Sequence, residues 1–152
     1  MERGLGTQLR HLLELLDGAV AEAYARESLR YRPRYTPIMR ALIASEPLSI
    51  SQIAQAAGIS QPAATQTVNL MIREGLVSST PGADARQRMI TLTAAGRDLV
   101  PSLQVYWRAT TAAADELDAE LGCTLSDVLA DAITALERKS FSDRLAEVRA
   151  RT

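Results

Sequence analysis

Apolar residues recur every three or four positions near the start of the chain, at Leu5, Leu9, Leu12, Leu16, Val20 and Ala23 with Tyr24. This spacing lays them on one stripe of a helix, predicted over about residues 5 to 30. Arg32, Pro33 and Arg34 interrupt it. Thr36 followed by Pro37 then predicts a new helix to about Ser45, with a hydroxyl cap and a proline placed where no amide hydrogen is needed. Glu46, Pro47 and Leu48 read as a turn, and Ser49 with Ile50 as a very short strand.

From Ser51 the pattern changes to two short helices around a tight corner. Ser51 is the expected cap of the first, whose inward side is Ile53, Ala54 and Ala57. Gly58 supplies the positive φ of the turn and Ile59 fills the corner. Ser60 caps the second helix and Pro62 sits in its first turn. Ala64, Val68 and Met71 form its buried stripe, and Gly75 ends it. The opposite side carries Gln61, Ala63, Thr65, Gln66 and Asn69. This is the layout of a helix-turn-helix.

A hairpin follows, with a strand from Leu76 to Thr80, a tip at Pro81, Gly82, Ala83 and Asp84, and a returning strand from Arg88 to Leu92. Asp84 is placed to hydrogen-bond nearby amides or to hold the Arg86 guanidinium in a paired fork. Arg86 and Arg88 either reach a nucleic-acid backbone or narrow groove, or are simply a solvated tip. Thr93 is the expected cap of a long helix to about Leu121, bent where Pro101 removes a hydrogen bond. Gly122 stops it. Thr124 with Asp127 marks another helix start, and Leu125, Val128, Leu129, Ala132, Ile133 and Leu136 form its stripe. Phe141, Leu145 and Val148 extend the apolar pattern. With the first helix, these segments carry more apolar face than a small winged lobe can cover.

The fold class expected is mainly α with a small β wing: a winged helix-turn-helix lobe at 36–93, flanked by helices at 1–35 and 94–152, all in one domain. A chain of 152 residues with 47% hydrophobic residues can bury an ordinary core. Low aromatic content fits packed helices. A formal charge of −1 does not advertise a nucleic-acid binder. Residues 1–35 hold six basic against five acidic residues, 36–93 four against three, and 94–152 seven against ten. The acidic excess thus lies in the last third, and affinity for phosphate must lean on a few arginines. Sixteen of the 17 basic residues are Arg and only Lys139 is Lys, which fits a GC-rich genome as well as a need for bidentate hydrogen bonding.

Cys123 is the single cysteine, so no internal disulfide forms and a reducing cytoplasm is the expected location. It reads as a packed residue, with redox sensing as the other reading. No apolar run approaches the roughly 18 residues of a membrane span, and no signal-peptide core is present. His11, the only histidine, reads as a packing or interface residue. No zinc motif, phosphate-binding glycine loop or nucleophile elbow occurs, so neither catalysis nor a cofactor or metal is expected.

The run Asp84, Arg86, Leu92 and Thr93 resembles the wing pattern of the multiple antibiotic resistance regulator (MarR) family of bacterial winged helix-turn-helix transcription factors. That pattern is an Asp, any residue, an Arg, five unspecified residues, then Leu and Thr. The following AAGRDL at 94–99 also resembles the family's entry into its next helix. The resemblance is specific from about Leu48 to Leu99 and architectural elsewhere. It implies that Ser60 to Glu74 is the recognition helix, that Arg86 reaches the minor groove, and that Ser49, Thr65 and Arg73 lie near phosphates. Members often carry basic residues within the recognition helix, whereas this chain places Gln66, Leu70 and Ile72 before its first arginine there, Arg73.

The candidate contacts to double-stranded DNA are Ser49, Gln61, Pro62, Ala63, Thr65, Gln66, Asn69, Arg73, Arg86 and Arg88, with Asp84 stabilising the wing. Gln66 is the leading base reader, because an amide presents a donor and an acceptor together to an adenine edge. The resemblance further implies a homodimer, and symmetry then predicts a pseudopalindromic operator with half-sites roughly 10 bp apart or a multiple of that. It also implies a small aromatic or anionic effector between the lobe and the dimer helices, with Arg10, His11, Tyr31, Arg34, Tyr35 and Trp107 as candidate contacts. The function expected is a ligand-responsive repressor. The alternative is a winged-helix interaction module that assembles proteins without reading DNA.

Overall fold

A computed structural model describes residues 4–151, and the chain divides into two compact units, Met1–Gln104 and Val105–Thr152. In the first unit, helix α1 covers Leu5–Arg26, four residues shorter than the apolar stripe alone predicts. The chain leaves the helix at Ser28, whose φ of 56° lies in the left-handed region. Only Tyr24 of α1 is buried, while Leu5, Leu9, Leu13, Leu15 and Leu16 are exposed.

A single 3₁₀ turn, Pro33–Tyr35, leads into α2, Thr36–Ser45. Thr36 does not cap that helix as expected. It is already helical, and its hydroxyl accepts a hydrogen bond from the Tyr31 hydroxyl at 3.2 Å. Strand β1 is Leu48–Ser49, one residue earlier than expected. Helix α3 is Ile50–Ala57 and its cap is Ser49, not Ser51. Ser49 Oγ accepts from the Gln52 amide at 3.2 Å while the Gln52 side chain accepts from the Ser49 amide at 2.9 Å. This reciprocal box needs a glutamine three residues after the serine, and Ser49 has one.

Gly58, at φ 65°, turns the chain into α4, Gln61–Arg73, where Ser60 caps by accepting from the Ala63 amide. Strands β2, Val77–Pro81, and β3, Arg88–Leu92, form the wing. The sheet order is β1-β3-β2, all antiparallel, with Leu48 opposite Ile90 and Val77 opposite Leu92. Ile90 and Leu92 face inward and join Ile38, Met39, Leu42, Ile53, Ala64, Val68, Met71, Leu76 and Val77 in one core. The helix-turn-helix and the wing therefore share a single packed interior.

Helix α5, Ala94–Leu121, starts at a crowded junction. The Thr93 hydroxyl accepts from the Gly96 amide at 3.0 Å, and its proton faces the Gly75 and Leu76 carbonyls at 2.6 and 3.1 Å. A Cβ on Gly96 would stand 2.2 Å from the Leu76 carbonyl oxygen, so only glycine fits. Alongside, Glu46 accepts from the Leu92 amide at 2.6 Å. Arg97 donates to the Leu92 carbonyl at 2.8 Å and to Glu46 at 2.5 Å.

The second unit contains the remainder of α5 with α6, Leu125–Arg138, and α7, Phe141–Ala150. Gly122 ends α5 at φ 68°. The Thr124 side chain makes no cap, contrary to expectation. The first α6 amide, that of Leu125, instead donates to the Asp118 carboxylate at 2.8 Å. Ser140 caps α7 through the Asp143 amide. Arg144 donates to the Ala135 carbonyl, which also accepts from the Lys139 amide, and to the Lys139 carbonyl just past the end of α6. No residue of α6 or α7 is buried, and Val128, Leu129, Ile133, Leu136, Phe141, Leu145 and Val148 all stand exposed. Cys123 is exposed as well, where a packed residue was expected. Among the described residues, no helix is long and apolar enough to cross a membrane.

The junction gives a direct test. Gly96→Ala must push apart the Leu76 carbonyl and the first turn of α5, at an expected cost of about 1–3 kcal/mol. Urea unfolding should show the midpoint falling accordingly, whereas an unchanged midpoint would mean that the junction yields freely.

Candidate nucleic-acid interface

Helix α4 presents two chemically distinct sides. Ala64, Thr67, Val68 and Met71 are buried, while Gln61, Pro62, Thr65, Gln66, Asn69 and Arg73 are exposed and Ala63 is half-buried. Pro62, Gln66, Asn69 and Arg73 follow one another at intervals of four, three and four, which places them on one outward stripe. The stripe is amide-rich and ends in a cation. Thr65 lies beside it, and its hydroxyl donates to the Gln61 carbonyl at 3.0 Å within the helix. Ser49 is buried and its hydroxyl is engaged in the α3 cap, so its side chain has a structural task in place.

The wing tip is closed by its own backbone. Gly82 donates to the Gln87 carbonyl at 2.6 Å and Gln87 to the Asp84 carbonyl at 2.9 Å. Asp84 takes the first of its two expected roles: its carboxylate accepts from the Arg86 backbone amide at 3.1 Å. Among the described residues the Arg86 guanidinium has no hydrogen bond or ion pair, and the same holds for Arg73. Both residues are exposed. Arg88 is exposed too, but its Nε donates across the hairpin to Ser79 Oγ at 2.9 Å. The lobe thus offers an uncommitted cation at the end of the helix stripe and another at the wing tip.

On the inner side of α4 lies a group that the sequence does not announce. Arg34 donates to the Thr67 hydroxyl at 3.1 Å, and Arg32 pairs with Glu74 at 2.9 Å. Between them Tyr35 is fully buried, edge-to-face on Tyr31 with ring centres 5.6 Å apart. Tyr31 stands likewise against Tyr24 at 5.1 Å. Of the candidate effector contacts, Tyr31, Arg34 and Tyr35 therefore come together. Arg10 and His11 are exposed on α1, at least 13 residues before Tyr24 and so about 20 Å away along the helix. The His11 ring lies 3.8 Å from the Glu14 carboxylate. Trp107 lies on α5 in the second unit. The pairings of Arg32 and Thr67 had no local signal, since both partners are distant in sequence.

Residues 32–88, which span the 3₁₀ turn, the helix-turn-helix and the wing, match the model of the MarR family. Over that segment the chain is similar to the MarR family. Its fold is similar to that of the M. tuberculosis transcriptional regulator MosR, solved in complex with DNA, at 25% identity and a TM-score of 0.74, covering 91% of this chain and all of that one. A MarR family transcriptional regulator from Silicibacter pomeroyi matches at 26% identity and a TM-score of 0.62 over 87% of this chain and 94% of that one. The S. aureus MepR protein, solved with DNA, shares the fold at 17% identity and a TM-score of 0.66, over 86% of this chain and 99% of that one. A search of curated proteins finds no match. The similarity agrees with a mainly α fold carrying a small antiparallel wing, and the matched family comprises regulators and not enzymes.

The tyrosine cluster in this lobe makes a pH prediction. Burial, followed by the Glu74 carboxylate, pushes the Tyr35 hydroxyl up to about 12. Burial pushes Tyr31 higher still, against a smaller opposing effect of its hydrogen bond to Thr36. A folded-state pKa above the unfolded one contributes stability that is complete below pH 10 or so and is lost as pH rises through the folded value. Phenolate absorbance followed together with circular dichroism should show at least two of the four tyrosines, Tyr31 and Tyr35, ionising only as the helical signal collapses, in the alkaline range above that point. Simultaneous ionisation of all four with the helices intact would contradict the burial of Tyr31 and Tyr35.

Proposed function

We propose that this chain is a homodimeric transcriptional regulator that occupies a pseudopalindromic operator and acts as a ligand-responsive repressor. The observation that carries the reading is one rigidly fastened lobe bearing an exposed amide-rich helix stripe and a wing tip whose Arg86 guanidinium is uncommitted. The stripe has the width and polarity for the major groove, and an arginine on a narrow hairpin suits the minor groove beside it. Gln66 and Asn69 read base edges, with Gln61, Pro62, Ala63 and Thr65 packing at the helix entry. Arg73 and Arg88 meet phosphates. DNA complexes of MosR and MepR, proteins of the same fold, support this assignment.

Dimerisation is supported by the exposed leucines of α1 and the exposed apolar faces of α6 and α7. Apolar surface on that scale gains free energy when a second copy covers it. A two-fold dimer sets two α4 helices against successive major grooves, which is why an inverted repeat is expected. A small aromatic or anionic effector needs only to favour a spacing of those helices unsuited to DNA. A hundredfold difference in affinity between the two states is worth about 2.7 kcal/mol.

The near balance of charge in residues 36–93, four basic against three acidic, favours the second reading, a winged-helix module that assembles proteins. Fragments selected from the source genome, titrated by fluorescence anisotropy at several salt concentrations, distinguish the two. A DNA reader gives tight binding to an inverted repeat and a steep salt slope. Arg86→Ala should then weaken binding to every sequence and lower the slope by about one, whereas Gln66→Ala should cost about 1–3 kcal/mol and relax preference at one position per half-site. Weak binding without sequence preference, at a mass of one chain in sedimentation, would remove the regulator reading.

A further inference from the structure

We propose that Arg32 and Arg34 are positioning residues for the recognition helix: together they fix the rotation of α4 relative to the junction between α1 and α2. The proposal rests on the reading of α4 as the base-reading helix. It concerns the inner side of that helix, which no contact to DNA explains.

The device begins with a turn that cannot wander. Pro33 fixes its φ, and the turn is a single 3₁₀ unit. Tyr35 at its end is completely buried and stacked edge-to-face on Tyr31, which in turn meets Tyr24 at the end of α1. The two arginines that flank Pro33 leave this anchored turn and reach the same helix at two heights. Arg34 Nη2 lies 3.1 Å from Thr67 Oγ1 near the middle of α4. Arg32 Nη2 lies 2.9 Å from Glu74 Oε1 at the residue that caps its end.

Thr67 and Glu74 are seven residues apart, so they share a face and are separated by about 10 Å along the axis. One contact would leave the helix free to roll about its axis. Two contacts on one face oppose both rolling and sliding. The outward stripe of Pro62, Gln66, Asn69 and Arg73 lies on the other side of the same rigid body, so a roll of α4 moves every base-reading side chain at once.

Energetic scale separates this role from simple stabilisation. Thr67 is 4% exposed, but its hydroxyl can fall back on a carbonyl of its own helix when Arg34 is removed. The Arg32–Glu74 pair is partly solvated, with side chains 57% and 26% exposed, and pairs of that kind contribute little to folding. The core beneath α4, made by Ala64, Val68 and Met71, does not depend on either contact. Removing them should leave the lobe folded and its reading face misaligned. Bidentate base contacts tolerate little misalignment, whereas phosphate attraction tolerates much.

The test uses the full chain with the variants Thr67→Val, Arg34→Gln and Glu74→Gln, and the double variant Thr67→Val with Arg34→Gln. Each is titrated against the selected operator and against a scrambled duplex of the same length at several salt concentrations. Thermal midpoint and active fraction are measured alongside. We expect operator affinity to fall about three- to tenfold in each single variant, with affinity for the scrambled duplex, the salt slope and the midpoint essentially unchanged. The double variant should bind no worse than either of its single parents, because both remove the same contact.

Unchanged operator affinity in Thr67→Val and Glu74→Gln, which retain both arginines, would overturn the proposal. So would equal losses on the two duplexes with a shallower salt slope for Arg34→Gln, which would make Arg34 a phosphate contact. A loss matched by a fall in midpoint and active fraction would make the contacts merely structural. Failure of the unaltered chain to prefer any operator would instead remove the regulator reading on which the proposal stands.

Discussion

The lobe hangs on the Leu76 carbonyl. Its oxygen accepts from the Thr93 amide at 3.0 Å, faces the Thr93 hydroxyl at 3.1 Å, and is approached so closely by α5 that Gly96 has no room for a side chain. Leu76 follows the recognition helix and opens the wing, and Thr93 closes the wing and opens α5. One peptide group thus joins both ends of the hairpin to the start of the next helix. Glu46 and Arg97 close the same junction from the other side by gripping the amide and carbonyl of Leu92. Four elements distant in sequence meet there, and any wing placed otherwise would leave several of these polar groups without partners in a partly buried place.

This arrangement resolves the weak charge of the lobe. In residues 36–93 only four residues are basic, and counting charges predicts little attraction to phosphate. What matters is which of them are already committed. Arg32 and Arg97, just outside that span, are paired with Glu74 and Glu46. Those pairs also remove two of the span's three acidic residues from the electrostatic balance, and the third, Asp84, is held against the backbone of the wing tip. Arg73 and Arg86 remain at the helix end and the wing tip. The local field at the candidate interface is therefore more positive than the segment's net charge implies, because neutralisation occurs on the inner side.

Much of the fold was legible because its determinants are local. The stripe Ala64, Val68 and Met71, the positive φ of Gly58, the cap at Ser60 and the limits of β3 each follow from a few adjacent residues, and the structure has all of them. The misplaced caps are also local in origin. Ser49 and Ser51 are both hydroxyl residues just ahead of the Ile53 stripe, and only the glutamine three positions on chooses Ser49. Thr36 looked like a cap, but its hydroxyl is claimed by Tyr31, five residues away through a bend that periodicity does not encode. What the sequence hid was long-range: Glu46 to Arg97, Arg32 to Glu74 and Arg34 to Thr67 join residues 51, 42 and 33 positions apart. A single sequence carries no signal for such pairs. At the candidate site the wing was therefore readable almost entirely, and the inner fastening of α4 hardly at all.

The distribution of burial gives the chain two kinds of stability. Helices α2, α3 and α4 and the wing enclose fully buried Ile38, Leu42, Ile53, Met71 and Ile90, so the lobe has a core of its own. Helices α1, α6 and α7 bury almost nothing and keep their apolar stripes exposed. In the proposed dimer a second copy covers those stripes, and the frame to which α1 belongs is held by surface that the lobe core does not share. A change at the frame then need not unfold the lobe to move it. The rigid turn at Pro33–Tyr35, rooted in the tyrosines at the end of α1 and fastened to α4 by two arginines, is the short path by which such a change would arrive at the reading face. Rigid connection at that turn, and a lobe whose core is its own, are together what allow a frame to steer a lobe without melting it.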